Sequence, residues 1–210
     1  MKKDELIGWH FSTGKLGYGD GREIIIGKTH KVKGPLELCA CGLHASERII
    51  DALQYAHGPM VYKVRLHGKI LRGDDKACAT QRTYLAGFDA TDILRLFARK
   101  CALDVIHLWD APDVVKRYLE TGDESLRAAA GAAAGAVAWA AARAAAGAAA
   151  GAVAWDAARA ALLAAAWDAA WAAAWDAAWG AAGAAARAAA WAAAWDAQNT
   201  RLLEMVEAKL

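Results

Sequence analysis

The 210-residue chain contains three prolines, and none lies beyond Pro112. Nothing after that point interrupts a helix through a proline ring. Net charge is also scarce: 25 Lys and Arg stand against 23 Asp and Glu, for +2. A strongly basic nucleic-acid binder is disfavoured. An apolar run of membrane length is missing too. The longest charge-free stretch of the C-terminal part, 128–142, has 15 residues, nearly all Ala and Gly. A span needs about 20 more strongly apolar ones, so no membrane partner is expected. No apolar run follows Met1-Lys2-Lys3-Asp4-Glu5, so no signal peptide is expected. The four cysteines are scattered, and without an export signal they are expected to be reduced thiols. There is no Ser/His/Asp signature and no nucleophile elbow.

Alanine is what the chain has in excess. Residues 127–197 hold 45 alanines in 71 positions. The overall 57% hydrophobic content therefore joins an ordinary N-terminal composition to a tail of methyl groups. From Arg127 to Trp195 the tail reads as 18 tetrads in one register, x-Ala-Ala-Ala with x drawn mainly from Arg, Gly and Trp. Codons for those three residues lie one base apart, so a four-codon tandem repeat that expanded and drifted accounts for the pattern. A drifting slot argues against any one tail Trp being a tuned ligand contact. Alanine has the highest helix propensity, so the tail should be helical. The pairs Gly131/Gly135, Gly147/Gly151 and Gly180/Gly183 are the expected bends. A four-residue step advances about 400°, so the x stripe circles the helix and disfavours a long two-stranded coiled coil. Shorter helices, folded back or packed between chains, are expected, with Trp supplying buried area. The spacings Asp156/Arg159, Trp139/Arg143 and Arg187/Trp191 permit ion-pair or cation–π contacts. Asn199–Leu210 reads as a capped amphipathic helix with Leu202, Leu203, Val206 and Leu210 on one face.

The first part reads as a small mixed domain. Strands are expected over Ile7–Ser12, Glu23–Ile26, Leu36–Cys39 and Met60–Leu66, the last continuing through Leu71. Tyr62, Val64 and Leu66 alternate there with Lys63 and Arg65. Ser46 is the expected N-cap of a helix running to Ala56, and Gly58-Pro59 ends it. After Leu71 the chain passes through Asp74-Asp75-Lys76 and reads as helical from Ala90, with Ile93, Leu94, Phe97 and Cys101 at helical spacing. Pro112 opens another helix that ends at Gly122, and Asp123 or Ser125 caps the first tail helix. Strands first and helices later give an α+β class. It comprises a small mixed α/β domain over 1–88, connecting helices over 89–126, and an Ala/Trp-rich all-helical array over 127–210.

All six histidines lie in the first part. Cys39-Ala40-Cys41-Gly42-Leu43-His44 sets three possible zinc ligands in six residues. C-x-C is not the usual knuckle spacing and no second pair follows, so no metal is expected. The run Lys28, His30, Lys31, Lys33 is read as a solvated strand end rather than a phosphate contact. Gly17-x-Gly19-x-Gly21 is read as a loop, since no strand–helix unit surrounds it.

Two resemblances add to this. Gly8-Trp9-His10-Phe11, the G-K-T-H of Gly27–His30, L-C-x-C-G-L-H-A-S at Leu38–Ser46 and D-A-L-Q-Y-A at Asp51–Ala56 resemble the first domain of uncharacterised phage and prophage proteins. These often carry low-complexity repeats after it. The resemblance implies the cytoplasm of a bacterial host and brings no assigned activity. The order strand-His, G-L-H-A-S, A-L-Q-Y-A, V-Y-K-V-R-L-H-G is also similar to the ADP-ribosyltransferase core. There a His and a Tyr hold the nicotinamide nucleotide and a Glu on a late strand orients the ribose. His10 matches the His and Tyr55 the Tyr of the following helix, whereas His44 stands where the first Tyr is expected. No glutamate strand follows Leu71. The resemblance thus implies a pocket without the carboxylate that stabilises a ribosyl cation. The expected ligand residues are His10, Ser12, Thr13, His44, Ser46 and Tyr55, with no catalytic residue and no cofactor. The function expected is non-enzymatic capture of a nucleotide-like ligand or a host factor, with the tail building a homo-oligomer. The alternatives are an active transferase with Glu37 or Glu47 as its carboxylate, and a purely structural self-associating protein.

Overall fold

The computed structural model describes residues 5–17, 20–108, 110–145 and 184–210. The chain divides into two compact units: Met1–Thr91 with Leu202–Leu210, and Asp92–Arg201. It is a mixed α+β protein built on a five-stranded antiparallel sheet.

The strands are β1 (Leu6–Ser12), β2 (Thr29–Lys31), β3 (Leu43–Ala45), β4 (Met60–Arg72) and β5 (Ala77–Asp89). β1 pairs along β4, from Leu6 opposite Leu66 to Ser12 opposite Met60. β4 and β5 form a long hairpin, irregular between Lys63 and Val64 and between His67 and Ile70. β2 and β3 share the other side of β5, opposite Thr83–Gln81 and Ala79–Ala77 respectively. Just past β3, Ser46 exchanges two backbone hydrogen bonds with Trp9, at 2.7 and 3.1 Å. β1 is therefore bonded to β4 on one side and to Ser46 on the other, which curls the sheet back on itself. Gly8 permits that approach: a Cβ there would lie 2.5 Å from the Ser46 carbonyl oxygen. Leu6, Leu43, Tyr62, Val64, Leu66 and Tyr84 are buried in one cluster of this sheet. Each large apolar side chain so buried contributes about 1.5–3 kcal/mol.

Four expectations change here. The three isoleucines of 24–26 do not form a strand. Only Lys15 bridges Glu23, and Ile25 and Ile26 are 51% and 47% exposed. Residues 36–39 form a turn closed by Glu37 and Cys41, and the strand comes later, at β3. Helix α1 (Ile49–Leu53) starts after Arg48 without a side-chain cap, and Ser46 lies before it with its backbone bonded to Trp9. The chain does not leave the sheet after Leu71: it turns at Gly73–Lys76 and returns as β5.

In the second unit, α2 (Thr91–Asp104) buries Leu94, Phe97 and Cys101 of the face its spacing predicts, while Ile93 is half-buried. A 3₁₀ turn at Ile106–Leu108 precedes α3 (Asp113–Thr121), which Pro112 opens. Gly122, left-handed at φ 69°, ends α3 by donating its N–H to the Tyr118 carbonyl. The Asp123 carboxylate accepts the Ser125 N–H at 2.9 Å at the 3₁₀ turn leading into α4 (Arg127–Ala145). Helix α4 runs through Gly131 and Gly135, the first of the expected bends, without a break in the helix. Ala130 and Ala134 of α4 cluster with Val115, Tyr118 and Leu119 of α3. Helix α5 (Ala184–Glu207) begins well before Asn199, which is an interior position rather than a cap. On its last turns Leu202 and Val206 are fully buried, while Leu210 is exposed. The remaining glycine bends and the three charge and Trp spacings of the tail lie outside the described residues or side chains. No helix among the described residues is long and apolar enough to cross a membrane.

Candidate functional site

A cavity of about 720 Å³ opens in the first unit, and its lining includes all six residues singled out by sequence. His10, Ser12 and Thr13 come from the end of β1, His44 and Ser46 from β3 and its exit, and Tyr55 from just after α1.

His10 sits opposite Tyr62 in the β1–β4 ladder, with its ring edge-on to Tyr84 at 6.2 Å between centroids. Its Nε2 is enclosed and has no hydrogen-bond partner among the described residues. Burial, then the charge of Arg82 and the nearby His57 and His44, hold it well below the ordinary histidine range. The ring is therefore neutral at pH 7. Ser12 is buried and its Oγ accepts the Gly14 N–H at 3.0 Å, whereas Thr13 is exposed. His44 accepts the Cys39 N–H on Nε2 at 3.2 Å. Its pKa is lowered by burial, then by Arg82 and Lys76. Ser46 is held through its backbone, as described above. Tyr55 is 40% exposed. Its hydroxyl donates to Asp75, and the Lys76 ammonium lies 3.8 Å from its ring centroid.

The structure adds a residue that the sequence reading missed. Arg82, on β5, lines the cavity although only 3% exposed. It donates to the His44 carbonyl and, at 2.5 Å, to the Tyr84 hydroxyl, over whose ring its guanidinium lies. Burial lowers its pKa, and Tyr84 opposes that. Tyr84 is itself pushed up to about 12, mainly by burial. The only sequence signal was the group of strand-forming residues Thr80, Thr83 and Tyr84 around Arg82, and it is weak.

The lining as a whole is basic. Among the described residues, Lys15, Arg22, Lys31, Lys33, Lys76 and Arg82 share the lining with a single carboxylate, Asp20. Asp20 is gripped by Arg22 through two bonds of 2.6 Å. Lys31 and Lys33, read from sequence as a solvated strand end, are indeed exposed but border the cavity. His30, between them and Lys28, is fully buried against Tyr84, opposite Arg82 on β5. Gly17 and Asp20, from the two sides of the glycine loop, line the same cavity. No glutamate is among the lining residues: Glu47 pairs with Arg72 at 3.0 Å and Glu37 closes the turn with Cys41. Among the described residues all four cysteines are free thiols, and no three His, Cys, Asp or Glu side chains are grouped to hold a metal ion.

A family model described as a domain of unknown function (DUF7666) matches residues 19–96, from the glycine loop through β5 into α2, and leaves β1 with His10 outside. No curated protein and no solved structure matches the chain.

Proposed function

We propose that the first unit is a non-enzymatic binding module for a small nucleotide-like ligand, and that it acts by holding the ligand rather than transforming it. One observation carries this reading. His10, Ser12, Thr13, His44, Ser46 and Tyr55, chosen from sequence without Arg82, all line one cavity of about 720 Å³. That volume lies within the range of about 300–1,000 Å³ typical of small-molecule sites. Aromatic and hydroxyl groups on the wall, with a buried cation behind them, suit a ring-plus-anion ligand. The absence of a glutamate from the lining favours binding over transfer. In a phage setting such a module would sequester a host signalling nucleotide in the bacterial cytoplasm.

The tail supplies the second half of the proposal. Helices α4 and α5 are built from tetrads at the two ends of the repeat. We extend helix across 127–197 and assign it the assembly of several copies, with Ala faces allowing close approach. Titration calorimetry of the full chain with NAD-derived and cyclic nucleotides tests the module. Saturable heat is expected, with neither nicotinamide release nor label transfer from NAD. No heat with any of them removes the nucleotide reading in favour of a host protein or a purely structural role. Light scattering tests the tail: a mass that is a multiple of 22.2 kDa is expected, and a monomer at high concentration rejects assembly.

A further inference from the structure

The inner wall of the cavity carries a charge that the described residues leave uncompensated. The two terminal nitrogens of Arg82 are committed to the His44 carbonyl and the Tyr84 hydroxyl, which fix the guanidinium in place. Its Nε has no partner among the described residues, and both groups it does bond are uncharged at neutral pH. The nearby His10 Nε2 is likewise enclosed and unpartnered among the described residues. The one carboxylate of the lining among the described residues, Asp20, is already held by Arg22. A guanidinium buried without a counter-ion is costly. A concave surface lined by one sign of charge draws in the opposite sign.

We propose that this cavity takes a phosphoryl group, with Arg82 as its inner seat and Lys31 and Lys33 guiding it from the rim. The inference rests on the binding-module reading and names the part of the ligand that reaches the wall. A carboxylate would match Arg82 alone. The basic side chains left over after the Asp20–Arg22 pair suit a dianion with three acceptor oxygens. The same excess of cations repels a divalent metal. Free phosphate and the phosphate end of a nucleotide share this chemistry, and the test separates them.

The test titrates the full chain with the common nucleoside 5′-monophosphates, with their nucleosides and with inorganic phosphate, at low and at physiological salt. Binding of a monophosphate is expected, with its nucleoside at least tenfold weaker and affinity falling as salt rises. Arg82→Gln should weaken monophosphate binding by about 10- to 100-fold. If that variant loses its native circular dichroism, the exposed pair Lys31→Ala/Lys33→Ala gives the second reading. It should weaken binding several-fold at low salt and little at high salt. A nucleoside that binds as tightly as its monophosphate, or binding indifferent to salt, overturns the phosphoryl seat and leaves the module standing. Phosphate binding that depends on Arg82, with no nucleotide preferred over it, supports the seat and overturns the nucleotide reading. No binding of any probe overturns both.

Discussion

The sheet unit and the tetrad helices use their residues in opposite ways. In the sheet, single positions have specific tasks: Gly8 admits the Ser46 carbonyl, Arg82 ties β3 to Tyr84, and His10 lines a cavity wall. In α4 the buried residues among the described side chains are Ala130 and Ala134, while the variable tetrad slots Arg127, Gly131 and Gly135 remain partly exposed. There the repeat needs only a small-residue face, so the slot can hold Arg or Gly at little cost. The lesson is that chemistry must be sought where substitution is expensive, in the unit whose composition is unremarkable.

Trp195 is where this contrast is most open to attack. It occupies a tetrad slot, yet it is only 4% exposed in α5. Drift among Arg, Gly and Trp should not have been free at that site. Trp195→Ala is expected to cost about 3–5 kcal/mol of stability, as for other buried tryptophans. Urea unfolding of the full chain measures it. A loss within about 0.5 kcal/mol, ordinary for a surface site, would mean that the slot rule holds even here and that the burial carries little energy.

Glycine gives the cleanest paired test, because the same substitution should have opposite signs in the two regions. Gly8→Ala pushes a methyl group against the Ser46 carbonyl and should cost about 1–3 kcal/mol. Gly131→Ala, inside α4, should stabilise by up to about 1 kcal/mol through helix propensity. Shifts of the same sign would dissolve the distinction.

The legible parts of the fold are those where one residue type repeats at one period or where punctuation is strong. β1, the alternating half of β4, the apolar face of α2, and the Pro112 and Gly122 ends of α3 were all readable. β5 was not. Its buried positions hold Ala77, Cys78, Ala79, Arg82 and Tyr84, a mixture of small residues and a cation that no hydrophobic alternation reveals. The 24–26 isoleucines misled in the other direction, since strand propensity without a ladder partner leaves apolar residues exposed. At the cavity, His10, His44 and Tyr55 could be picked out from motif order. Arg82 could not, because its meaning comes from a hydrogen bond to the His44 carbonyl, 38 positions away in the chain.

The third test reads the same unit through pH. His10, His30 and His44 all have lowered pKa values, chiefly from burial. Arg82 adds to each, with His57 and His44 beside His10, and Arg22 and Lys28 beside His30 where Asp20 opposes. In the unfolded chain each would titrate near about 6.5. Below that pH the unfolded state binds protons that the native state refuses, so stability falls as pH falls and is fully present above the unfolded pKa. Thermal unfolding between pH 7.5 and 5.5 should show Tm dropping with acidity, less steeply in His30→Gln. A flat profile would show that these rings are hydrated and that the wall around Arg82 is open to water.

The smallest effect belongs to the tail's last turn, where the Glu207 carboxylate meets the Lys63 ammonium of β4 at 3.0 Å. The two side chains are 47% and 35% exposed, so solvent screens the pair and each must be held in one rotamer. Glu207→Gln should change stability by less than about 1 kcal/mol and nothing at high salt. Lys63 also lies 5.3 Å from the Trp9 ring centroid, a contact that does not need Glu207. Lys63→Met should therefore cost more than Glu207→Gln, and the excess should survive salt. Equal losses that vanish together in salt would assign the whole effect to the ion pair, making this turn of the tail as loosely specified as the tetrad slots upstream of it.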